Sequence, residues 1–199
     1  MSLLKDKGFL RFLIIFLVVF LLCYYGSIAV IGLTAPGDYY SPFLAKYLNY
    51  ISWLRNSLLN GSQWLLSLFG DDTYYQNEYV LSQVNGRGVK LVYSCLGLGV
   101  MSFWIAFITA SVSFLKRKII WILSGLFVIW LINIIRISLL LVSLNHSWKM
   151  PFGIDHHTWF NIVAYGVIFL MMYLFSKAKV KRQNPKVIES TILCRGNRI

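Results

Sequence analysis

Three apolar runs, each long enough to cross a bilayer, decide what this chain can fold into. A spanning helix needs roughly 20 apolar residues. The runs cover about 9–33, 96–115 and 119–144, with Arg11 early in the first and Arg136 inside the third. A fourth run, about 158–175, is shorter but within range. Hydrophobic types make up 58% of the 199 residues and charged types 13%. A soluble domain carries about twice that charge, and disorder needs low hydrophobicity, so both classes are excluded. The expectation is an all-α integral membrane protein, one membrane domain over 1–199. It has about four transmembrane helices, an outer-face amphipathic helix and a short β-hairpin. The first run exceeds the length of a signal-peptide core, and no small-residue cleavage site follows it, so it reads as a retained anchor.

Charge placement gives the orientation. The net charge is +12, and 13 of the 19 basic residues fall on one side of the expected spans. Lys5, Lys7 and Arg11 precede the first span. Lys116, Arg117 and Lys118 fill the expected tight turn between the second and third. The rest lie in the basic tail, 176–199. The 34–95 and 145–157 segments balance five basic against five acidic residues. Cationic loops stay in the cytoplasm. The reading is therefore a multi-pass protein of the cytoplasmic (inner) membrane with both termini inside and 34–95 and 145–157 outside. The basicity belongs to this topology and does not point to nucleic acid.

Within 34–95, Leu44, Tyr47, Leu48, Ile51, Leu54 and Leu58 recur at helical spacing. Lys46, Asn49, Arg55 and Asn56 fall on the other side. This predicts an amphipathic helix on the outer leaflet from about Phe43 to Phe69, broken near Asn60-Gly61. The runs 78–84 and 89–93 flank Asn85-Gly86, a hairpin signal.

Three positions carry potential chemistry. Cys95 sits where the second hairpin strand passes into the second span. A thiol there meets the positive end of a helix, and Gly97 and Gly99 leave the backbone open to another chain. Arg136 is costly inside a span, about 2.5–3.5 kcal/mol on insertion scales. Counting from the expected helix end places it about eight residues, or roughly 12 Å, below the outer edge. Asn133 shares its helix face at a spacing of three, and Ser143 continues that face. Asp155-His156-His157 opens the fourth span. Asp155 either fixes an imidazole tautomer or caps the helix. Adjacent histidines point about 100° apart on a helix, a poor metal pair. Cys23, Cys95 and Cys194 are far apart with no CxxC, and a thiol oxidoreductase would need a second nearby cysteine. No metal or other cofactor is implied. Cys95, Arg136 and His156/His157 all fall at the outer face, and a cysteine, a histidine base and a cation together suit acyl transfer through a thioester.

The order Ser94-Cys95-Leu96-Gly97, then Asn133-Ile134-Ile135-Arg136-Ile137, then His156-His157 before an aromatic-rich span resembles the exosortase/archaeosortase family, integral membrane cysteine transpeptidases. The likeness covers about residues 78–176. It differs in having Leu96 where members often have Ser or Thr, and about four spans where many have eight, as in short Bacteroidetes-type members. The resemblance implies processing of secreted proteins whose C-termini carry a short motif, a hydrophobic helix and a basic cluster. Cys95 would be the nucleophile, His157 the base with His156 the alternative, and Arg136 the stabiliser of thiolate and oxyanion. Asn133, Asp155 and Gly97 would support them. The other reading is a non-enzymatic membrane subunit of a polysaccharide-assembly or secretion complex, with Arg136 as an inter-helix clasp.

Overall fold

The computed structural model describes residues 6–35, 40–77, 79–84, 86–145, 158 and 161–178. The chain divides into two compact units, 1–156 and 157–199.

The first unit opens with α1, Lys7–Thr34, capped by Asp6, whose carboxylate accepts from the Gly8 amide at 2.8 Å. At 1.5 Å per residue it is about 42 Å long, and it is apolar enough to cross a membrane. Phe12, Phe16, Phe20 and Tyr24 recur every four residues and stack into a ladder along one face. Phe12 meets Phe107 and Phe16 meets Phe103, both edge-on. These rings lie on α4, Leu98–Ala110. One index rises as the other falls, so α1 and α4 run antiparallel.

α4 in turn packs on α5, Leu115–Asn145. Trp104 is fully buried between them and donates from Nε1 to the Trp121 carbonyl at 3.0 Å. Gly125 makes room for this indole; a Cβ there would collide with it. At the other end Lys118 Nζ donates to the Thr109 carbonyl at 2.7 Å, satisfying an end of α4 that its own backbone cannot. Two expectations change here. The second span is a 13-residue helix rather than 96–115, because Gly97 ends the chain's earlier course and Ser111 is extended. The basic triplet Lys116, Arg117 and Lys118 does not fill a turn; it forms the first turn of α5.

The segment after α1 forms α2, Pro42–Tyr47, and α3, Tyr50–Leu68. The break falls at Leu48-Asn49 and not at Asn60-Gly61. Asn49 caps α3 by accepting from the Ser52 amide at 3.0 Å, which starts a new helix where the spacing suggested continuity. The Asn60-Gly61 pair stays helical because Gly61 is pressed against Ile134 of α5, where a Cβ would not fit. Ser62 donates to the Leu58 carbonyl at 2.8 Å and to that of Ile134 at 3.4 Å. Ser138 donates to the Ser62 carbonyl at 3.4 Å, and Trp130 Nε1 to Ser57 Oγ at 3.1 Å. Both indices rise together, so α3 runs alongside α5 in the same direction. Small residues and hydroxyls at the crossing allow the close approach, as in membrane helix pairs. The amphipathic helix is present, but its apolar face meets α5. Arg55, expected on the polar face, is 5% exposed.

A three-stranded antiparallel sheet follows, in the order β1 (Thr73–Asn77), β2 (Val80–Gln83) and β3 (Gly88–Lys90). The expected hairpin is β2–β3, with Leu81 opposite Val89; β1 is an addition to it. Leu81, Val89 and Leu91 join Ile51, Leu58, Leu59 and Leu66 of α3 and Ile134, Ile137 and Leu141 of α5 in one core.

The second unit holds α6, Asn161–Ala178, an 18-residue apolar helix also long enough to cross a membrane. With α1 and α5 it makes three such helices among the described residues, and α4 is a shorter apolar one. The protein is a multi-pass, mostly helical membrane protein.

Candidate active site

Cys95 lies in a 3-10 turn, Tyr93–Leu96, rather than at a direct strand-to-helix junction. Its amide donates to the Val92 carbonyl at 2.9 Å. The turn packs against α3. The next residue but one, Gly97, has φ 75° and ψ 18°, a left-handed conformation that glycine adopts without strain. Its carbonyl accepts from the Met101 amide at 2.9 Å and starts α4. The thiol is free and half-buried, set against the edge of the core made by α3, α5 and the sheet.

Asn133 of α5 faces this turn. Its Nδ2 donates to the Leu96 carbonyl at 3.4 Å. A Cβ at Gly97 would lie 2.5 Å from the same nitrogen. Asn133 is 5% exposed and occupies the space that Gly97 leaves. Gly97 thus serves two purposes: its positive φ turns the chain into α4, and its missing side chain admits the asparagine.

Arg136 follows three residues later on α5 and is half-buried. Its Nη2 is buried and has no hydrogen-bond partner among the described residues. A cationic donor is costly to bury without an acceptor. Its neighbours Ile134, Ile137 and Ser138 are buried, while Ile135 and Leu139 are exposed. Arg136 therefore stands at the border between the packed and the open face of α5. Ser143, expected on the same side as Asn133, is fully buried and donates to the Leu140 carbonyl at 2.9 Å.

α5 continues nine residues beyond Arg136, to Asn145, and Ile137, Ser138, Leu141 and Ser143 in those turns are buried. Asn145 Oδ1 accepts from the Arg87 amide at 2.6 Å, and its Nδ2 donates to the Arg87 carbonyl at 3.3 Å. A Cβ at Gly86 would lie 2.6 Å from that Oδ1. The β2–β3 turn is thereby clamped to the end of α5.

Asp155, His156 and His157 lie outside the described residues. Cys23, the other free cysteine described, is on α1. Arg55 was missed as a buried cation. Its guanidinium carbon lies 4.1 Å from the centre of the Tyr79 ring, a cation–π geometry. The signal was available: Arg55 is four residues after Ile51 and three before Leu58, on the buried stripe.

The family model that describes transmembrane exosortases matches residues 11–174. No curated protein matched the chain, and no solved structure did. The matched stretch takes in Cys95, Asn133, Arg136 and the Asp155-His156-His157 segment, and it covers most of the sequence. On that match the chain belongs to the transmembrane exosortase family.

Proposed function

We propose that this protein is a membrane-embedded cysteine peptidase or transpeptidase. It acts at the outer face of the cytoplasmic membrane on secreted proteins whose C-terminal sorting signal combines a hydrophobic helix with a basic cluster. The observation that carries the reading is the buried Arg136 Nη2 without a hydrogen-bond partner among the described residues. It lies one helical turn from Asn133, which touches the Cys95 turn. An inter-helix clasp would spend its donors on a neighbouring helix. An arginine kept for a substrate leaves one available.

In this mechanism the Cys95 sulfur attacks the scissile carbonyl carbon, and its proton passes to His157, or to His156. The carbonyl π bond opens, and the resulting oxyanion is held by the Arg136 guanidinium. The C–N bond then breaks, the histidine returns the proton to the leaving amine, and a thioester remains on Cys95. An amine or water attacks the thioester and releases the thiol. Asp155 orients the histidine or caps its helix. Both chain termini are cytoplasmic in this arrangement, following the charge asymmetry.

The test is a secreted reporter carrying such a tail, co-expressed with the intact protein. A covalent reporter adduct on Cys95, absent from Cys95→Ser, is the expected result. Full processing of the reporter by Cys95→Ser would end the cysteine mechanism.

A further inference from the structure

We infer that Asn133 is a positioning residue, which locks the Cys95 turn onto α5 by filling the space at Gly97 and binding the Leu96 carbonyl. The inference rests on the reading of Cys95 as the nucleophile, but its geometry stands apart from the chemistry. Gly97 is left-handed, so it fixes the direction in which the turn enters α4. Asn133 Nδ2 is within 2.5 Å of the position a Cβ would take there. It is also the donor that meets the Leu96 carbonyl at 3.4 Å. That carbonyl belongs to the residue directly after the cysteine. One side chain therefore touches both residues that follow Cys95, from a helix 37 residues further along the chain.

The flanking elements carry no cap of their own. The 3-10 turn has no side-chain cap, and neither does α4. Cys95 itself is held by its Val92 backbone contact and by apolar packing, which is not directional. The amide of Asn133 adds direction. Arg136 projects from the next turn of the same helix, so the lock ties the Cys95 turn to the helix that carries the guanidinium. Displacement of the turn by even about 1 Å is enough to impair a reaction that depends on alignment.

The experiment uses the full chain in native vesicles, with Cys194→Ser so that Cys95 and Cys23 remain. Asn133→Leu keeps the side chain's size and removes its donor, so the buried helix contact survives. The rate of alkylation by a small maleimide is read at both cysteines by mass spectrometry. Release of the turn should raise the Cys95 rate about tenfold or more, as expected for local opening, and leave Cys23 on α1 unchanged. Gly97→Ala, which drives a methyl into Asn133, should give the same pattern. The double variant should be no more reactive than the single ones, because both break one contact. In the reporter assay Asn133→Leu should lower kcat and leave KM unchanged. An unchanged Cys95 rate overturns the lock. So does a parallel rise at Cys23, which would report general loosening. Neither result depends on processing, so failure of the peptidase reading shows separately, as a Cys95→Ser chain that still cuts.

Discussion

The indole of Trp104 occupies the space a side chain at Gly125 would need, and it ties α4 to α5 by donating to the Trp121 carbonyl at 3.0 Å. Gly125→Ala must push the ring out of a fully buried site. Overpacking of this kind costs about 1–3 kcal/mol. Thermal unfolding in mild detergent should show the loss, and Trp104→Leu in the same chain should recover part of it. An unchanged melting temperature for Gly125→Ala would reject the packing account.

Asn145 holds the β2–β3 turn through two hydrogen bonds to Arg87. Removing both with Asn145→Ala should cost about 1–2 kcal/mol locally. Hydrogen exchange at the Arg87 amide should accelerate, while exchange along α1 stays as it was. If the Arg87 amide remains protected, the clamp is not what holds the turn.

Arg136 should tolerate no substitute in the reporter assay. Arg136→Lys keeps the charge but loses the planar fork of donors, so most activity should go. Arg136→Gln should lose about 10²-fold or more, the scale of an absent oxyanion donor. Processing by Arg136→Gln at the native rate, with matched expression, would remove Arg136 from the mechanism.

The proposed mechanism needs one histidine to take the proton from Cys95. His157→Ala should match Cys95→Ser, and His156→Ala should retain activity. The reverse pattern would transfer the role to His156. Retention of activity by both variants would leave the cysteine without a histidine base and reject the acid–base scheme.

The charge asymmetry predicts that position 71 faces outward and position 179 inward. Membrane-impermeant labelling of single-cysteine variants at Asp71 and Lys179 reads this in intact cells. Labelling at 179 from outside would invert the topology.

The spans were legible because apolar runs of this length have few other uses. α1 matches its expected run within two residues, and α6 is shifted by three. The β2–β3 hairpin was legible from Asn85-Gly86, since few dipeptides favour that turn. The α2–α3 break was not, because periodicity alone does not distinguish Asn49 as a cap from Asn60-Gly61 as a stop. Gly61 reads as a breaker until Ile134 is seen beside it. Arg55 was misplaced because its charge outweighed its spacing. The sequence offered Asn133 as a neighbour of Arg136 on one helix face. Its contact with Gly97 joins residues 36 apart, and no local pattern announces that.

The run Ile119–Ile135 of α5 contains no charged residue, and it is bracketed by Lys116, Arg117 and Lys118 at one end and Arg136 at the other. Those 17 residues span about 26 Å as a helix, close to the roughly 30 Å of a hydrocarbon core. Gly97 meets α5 at Asn133, so the Cys95 turn sits near the upper mark of this interval. Under the proposed function α5 would act as a gauge: a substrate helix lying beside it, with its own basic cluster level with the lysines, would present to the thiol whatever peptide bond stands about 26 Å away. Inserting four residues into that helix would raise the bond by about 6 Å, and the cleavage point would then be set by length as well as by sequence.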